Sequence, residues 1–206
     1  MRFMRFGPSI IFLRTAHGEA VKKVIEEIFS VNEIPTDEAI RKSREFETVL
    51  FVTDEWIKKT LPPKTGFLIK HGAPYVISTV INRNLPVEKV HVESTLIFLR
   101  VPEKVDEALS FIAKKYGGKV TTLRDALDEG EAGDTVVGVT KKRLSSPIGP
   151  EEIEGAVLIR RGFLQVYREL SIDAPCYSSS SSPSGTSSPS RYTTPTNATK
   201  RTSLGS

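Results

Sequence analysis

Apolar side chains recur along this chain in two rhythms, and the rhythms come in the same order twice. The tetrapeptide Ile-Phe-Leu-Arg stands at Ile11 to Arg14 in "PSIIFLRT" and again at Ile97 to Arg100 in "STLIFLRV". Each run is apolar at consecutive positions, which suits a central strand covered on both faces, with Arg14 and Arg100 ending the strands. After the first run, Val21, Val24, Ile25, Ile28 and Phe29 keep the i, i+3, i+4 spacing of an amphipathic helix. After the second, Val105, Ala108, Leu109, Ile112 and Ala113 keep that spacing 84 residues later. Pro102 suits the start of this helix, and Gly117 with Gly118 its end.

Three further matches follow. "TDEAIRKSREF" and "LRDALDEG" bring Ala39 and Ile40 onto Ala126 and Leu127 at an offset of 87, and the same offset carries "TVLFVT" (Thr48 to Thr53) onto "TVVGVT" (Thr135 to Thr140). The latter two are rich in β-branched residues and read as strands. At an offset of 89, "TGFLIKHGAPYVIS" pairs with "EGAVLIRRGFLQVYRE". Both hold two apolar runs around a basic pair and a glycine, the pattern of a β-hairpin turning at Gly72 and at Gly162.

The expected fold is α+β: two tandem copies of a strand-helix-helix-strand-hairpin unit, residues 1–88 and 89–170, packed about a pseudo-twofold axis. The stretch "NRNLPVEKVHVE" joins them. From residue 171 to 206 the composition changes abruptly: 18 of 36 residues are Ser or Thr, with scattered Pro. Such a tail cannot bury enough surface to offset its ordering entropy, so disorder is expected there.

Charge adds less than the formal +4 suggests. The first 170 residues hold 26 basic against 24 acidic side chains, so a polyanion partner has to be argued from local clustering. The same residues contain no cysteine and one glutamine (Gln165) beside abundant Lys, Glu, Arg, Val and Ile, a hyperthermophile-like composition of an intracellular, cytoplasmic protein. Lone Cys176 lies in the tail and makes no disulfide framework. No apolar run is long enough for a membrane span, and none reads as a signal peptide.

The chain carries no phosphate-loop, dinucleotide, zinc-protease or serine-elbow signature, and His17, His71 and His91 stand far apart. No cofactor or metal is expected, and an enzyme is the third choice of function. The acidic stretch Asp125, Asp128, Glu129, Glu131 and Asp134 misses the calcium-loop register and reads as a solvated helix end. Trp56 in the first half is replaced by Arg143 in the second, and its ordinary role is to cover the end of a sheet.

What recurs with chemical content is cation pairs at matched places. The turns carry Lys70-His71 and Arg160-Arg161, and the segments after the second strand carry Lys58-Lys59 and Lys141-Lys142-Arg143. Related by a twofold axis, such pairs suit a phosphate backbone, DNA or RNA, although charged turns also serve solubility. In topology alone, a duplicated α+β unit is similar to the saddle-shaped TATA-binding proteins and to the GyrI-like ligand sensors, without a sequence motif of either. The first resemblance implies nucleic acid as partner. The second implies a small molecule or a protein in a groove between the halves.

Overall fold

The structure, a computed structural model, describes residues 5–54, 63–83, 90–142 and 153–173. Trp56, Lys58, Lys59, Arg143 and residues 174–206 of the Ser/Thr-rich tail lie outside the described residues, whereas residues 171–173, expected to be disordered, complete the last helix. The fold is mixed α/β, with six helices among the described residues, none long and apolar enough to cross a membrane.

The two Ile-Phe-Leu-Arg segments form strands β2 (Ser9–Arg14) and β7 (Thr95–Arg100), buried on one face at Ile11, Leu13, Ile97 and Leu99 and on the other at Ile10, Phe12, Leu96 and Phe98, as their unbroken apolar pattern requires. They are neighbours at the centre of the sheet, antiparallel, and meet at Ile10 and Leu96. Strand β4 (Thr48–Thr53) lies parallel to β2, from Ser9 opposite Thr48 to Arg14 opposite Thr53. Strand β9 (Thr135–Thr140) lies parallel to β7 in the same fashion, from Thr95 opposite Thr135 to Arg100 opposite Thr140.

Outside these, β5 (Thr65–Ile69) runs antiparallel to β4 and β10 (Gly155–Ile159) antiparallel to β9. The edges are short: β3 (Ile34–Pro35) on β5 and β8 (Lys119–Thr121) on β10. The order β3-β5-β4-β2-β7-β9-β10-β8 therefore reads alike from either end. Two pieces complete the centre. Strand β1 (Arg5–Phe6) pairs with the end of β7, and β6 (His91–Val92) with the end of β2.

Helices cover both faces. One face packs Ile11, Leu13, Ile97 and Leu99 against α1 (Gly18–Phe29), α3 (Ala73–Asn82), α4 (Val105–Tyr116) and α6 (Phe163–Asp173). The other packs Ile10, Phe12, Leu96 and Phe98 with residues of α2 (Thr36–Lys42) and α5 (Leu123–Glu129). The described residues belong to one compact unit.

The expected hairpins at Gly72 and Gly162 are corrected: each glycine closes the short turn that follows a strand and opens a helix, α3 or α6. Val76, Ile77 and Val80 suggest a strand by composition. Their spacing from Ala73, however, is i+3, i+4 and i+7, and all four are buried on one face of α3, with Pro74 in the first turn where it costs no hydrogen bond. The antiparallel pairs that do exist join β4 to β5 and β9 to β10 through longer connections.

Two of the expected spacings also move. The end of α1 is Ser30, in left-handed conformation at φ 52°, and the end of α4 is Gly117 at φ 66°, so the two helices correspond at 87 residues rather than 84. A helical stripe matches itself after a slip of three residues, and sequence alone could not separate the two. For β5 and β10 the spacing is 90 rather than 89. Ile69 faces Thr48 and Ile159 faces Thr135, and in a strand a slip of one residue sends every side chain to the other face.

With these spacings, one trio stands out. Lys22 Nζ lies 2.9 Å from Glu33 Oε1, which also accepts the Thr65 hydroxyl, tying α1 to the edge of the sheet. At the matched places stand Leu109, Val120 and Gly155, and a Cβ on residue 155 would come within 2.5 Å of Leu109 Cδ1. One edge of the sheet thus carries a polar set where the other carries apolar residues.

Candidate functional site

The two basic pairs stand at matched strand-to-helix turns. In the first, the buried Thr48 hydroxyl donates to the carbonyl of His71 at 2.8 Å. In the second, the buried Thr135 hydroxyl donates to the carbonyl of Arg161 at 2.9 Å. Each turn is thus anchored from below by a threonine that begins the neighbouring strand, and a buried hydroxyl without this acceptor would cost about 1–3 kcal/mol. Gly72 and Gly162 follow, and their carbonyls accept from Val76 N–H at 3.2 Å and Val166 N–H at 3.3 Å to start α3 and α6.

Because Thr48 lies level with Ser9, Thr135 level with Thr95, and Ile10 faces Leu96, both turns sit near the midline of the sheet, one on each wing. Five strand spacings separate β5 from β10. At about 4.8 Å each, that is roughly 24 Å.

The cations differ in what they do. Lys70, His71 and Arg161 are exposed. Arg160 donates through Nη1 to the Asp134 carboxylate and, at 3.3 Å, to the Glu129 carbonyl, so it clamps its own loop. Lys141 and Lys142 are exposed but follow the far end of β9, whereas Arg160 and Arg161 adjoin its beginning. At about 3.3 Å per residue these two sets are about 20 Å apart and form no single patch. The Lys141 amide donates to Glu154 at 3.1 Å, and its carbonyl accepts from Arg100 Nε at 3.4 Å.

Few titrations are perturbed. Burial pushes the Tyr116 phenol up to about 12, aided by Glu169 and opposed by Arg161. Its hydroxyl has no hydrogen-bond partner among the described residues. Among those residues, no group of three His, Cys, Asp or Glu side chains is placed to hold a metal ion.

Sequence reasoning missed the surroundings of the first turn. Tyr75 lies off the buried stripe of α3, 54% exposed, with the His71 ring 4.6 Å from its own. Phe46, 50% exposed, packs its ring 5.5 Å from Phe6, and its carbonyl adjoins Gly72. The signal that finds Tyr75 is helical period, which the hairpin reading of the segment conceals. No family model matches the chain, and neither a curated relative nor a solved structure matches it.

Proposed function

We propose that this chain is a non-enzymatic nucleic-acid-associated protein that contacts the phosphate backbone through the exposed cations of its two strand-to-helix turns. The reading includes a tandem duplication. Residues 9–82 and 95–173 are two copies of one strand-helix-strand-helix-strand-strand-helix unit, related by a pseudo-twofold axis through the pairing of Ile10 with Leu96. Spacings of 86, 87 and 90 residues support it, each constant within an element.

The observation that carries the functional reading is the matched pair of bonds, Thr48 to His71 and Thr135 to Arg161. They hold a basic pair in the same backbone setting twice, at a separation that several nucleotides span. Lys70, His71 and Arg161 are the contacts, and Arg160 keeps the second turn in place by its bond to Asp134. Lys141 and Lys142, beyond the far end of β9, extend the contact surface where the ligand is long enough to reach them.

The second expectation, a small molecule or a protein held between the halves, has no particular observation in its favour. At the junction Ile10 and Leu96 pair directly and are fully buried.

The test is fluorescence anisotropy of a labelled 20-nucleotide strand, alone and as a duplex, titrated with the full chain over a range of salt. Two or three phosphate contacts predict a slope of log affinity against log salt of about −2. Absence of binding by either form at low salt overturns the reading.

A further inference from the structure

The geometry points to the first turn as a base-stacking corner, which makes an unpaired nucleic-acid strand the preferred ligand; the inference rests on the function proposed above. Four residues lie on the two segments that adjoin there. Phe46 and Tyr75 are each about half exposed, His71 lies against Tyr75 with ring centroids 4.6 Å apart, and Gly72 abuts the Phe46 carbonyl. Single exposed aromatics are ordinary, but two on adjoining segments beside an exposed lysine offer π-faces next to a cation. Bases stack on such faces whatever their identity, and only unpaired bases can reach them.

The backbone gives an independent reason to single out Phe46. It is held at φ 64°, in the left-handed region that a bulky residue adopts only at a cost. The matched residue in the second half is Gly133, at φ 91°, where that conformation is free of strain. Glycine is the simple solution to this turn. The Phe46 ring covers Phe6 at 5.5 Å and still leaves half of its surface in solvent, an aromatic surface that the matched glycine does not offer.

The other matched positions tell the same story. Where the first turn has His71 and Tyr75, the second has Arg161 and Gln165, both exposed. The two corners therefore divide the work: the first stacks bases, and the second holds phosphate. Charge around the first corner is mixed. Arg44 and Lys70 are exposed there, but Glu45 shares the loop and Glu47 uses its carboxylate on the Arg44 amide at 2.9 Å. Stacking, rather than net charge, thus sets affinity at this corner.

The experiment titrates the full chain against a labelled 12-nucleotide thymidine strand, the uridine strand of equal length, and a 12-base-pair duplex. The thymidine strand should bind at least about ten-fold more tightly than the duplex. Phe46→Gly and Tyr75→Gln should each weaken strand binding by about five-fold or more without weakening duplex binding. The melting temperature of Phe46→Gly reports on folding separately, and Tyr75→Gln changes only an exposed side chain. A uridine strand with the same losses in the variants shows that bases are read regardless of sugar. One that does not bind restricts the ligand to DNA, and both results uphold stacking. If both variants bind the thymidine strand like wild type while Lys70→Ala and Arg161→Ala weaken it, the stacking corner is refuted and nucleic-acid association stands. If no strand or duplex binds, both fall.

Discussion

Ile10 of β2 and Leu96 of β7 face each other at the middle of the sheet, 86 residues apart in sequence and both fully buried. Through this pair the two wings of the sheet share the core on one of its faces. Truncating either residue to alanine removes packing at the junction and should cost about 2–5 kcal/mol in urea denaturation. Because the two side chains are neighbours, the double variant should depart from additivity by about 0.5 kcal/mol or more.

The edge trio offers a sharper stability experiment. Lys22→Leu alone strips Glu33 of its charged partner, and Glu33→Val alone leaves the ammonium beside an apolar residue. Each should cost about 1 kcal/mol, a modest figure because both side chains are roughly a quarter exposed. The triple change to Leu, Val and Gly, copying Leu109, Val120 and Gly155, should recover most of that loss in a denaturation series.

The same pair sets a pH dependence. Burial works to raise the Glu33 carboxyl, but hydrogen bonds from Thr65 and Lys22, with the Lys22 charge, outweigh it and hold the group below its ordinary 4.5. A carboxyl depressed by folding adds stability that is present above 4.5 and lost as pH falls through the lower folded value. The hydrogen bond to Glu33, against the effect of burial, raises Lys22 above 10.5, so its share is present below that value and lost at higher pH. The double variant Lys22→Leu/Glu33→Val should flatten both limbs of the stability profile, below about pH 4.5 and above about pH 10.5.

Helix ends predict opposite signs for one kind of change. Ser30 closes α1 at φ 52° and Gly117 closes α4 at φ 66°, both accepting left-handed backbone. Ser30→Gly should stabilise the chain by about 0.5–1 kcal/mol and Gly117→Ala should destabilise it by about 1 kcal/mol or more, read from thermal unfolding.

Tyr116 completes α4 with a buried hydroxyl that finds no partner among the described residues, where α1 ends in Phe29. Removing that hydroxyl in Tyr116→Phe should leave stability unchanged or raise it by about 1 kcal/mol. A loss above about 1 kcal/mol in denaturant unfolding would contradict the reading.

The strands of the core were legible because their patterns are short and unambiguous: Ile11 and Leu13, Ile97 and Leu99 are buried where unbroken apolar runs put them. Registers were less so. The α1 stripe fits its counterpart after a slip of three residues, and only the left-handed ends at Ser30 and Gly117 fix the match. Ala73 to Val80 reads as strand by β-branched composition but folds as helix, because period and Pro74 outweigh propensity. The candidate cations were visible as residues, yet nothing in their spacing says that Arg160 bonds Asp134 or that Lys141 lies beyond the far end of β9. Phe46 could not be singled out at all, since its distinction lies in a backbone angle.

The most direct test of the central claim compares the salt dependence of nucleic-acid binding for four proteins: wild type, Lys70→Ala/His71→Ala, Arg160→Ala/Arg161→Ala, and all four changes together. Two turns sharing one ligand predict that each double variant loses part of the slope and that the quadruple variant loses nearly all salt-dependent binding while still melting cooperatively. A quadruple variant that binds with wild-type affinity and slope contradicts the account.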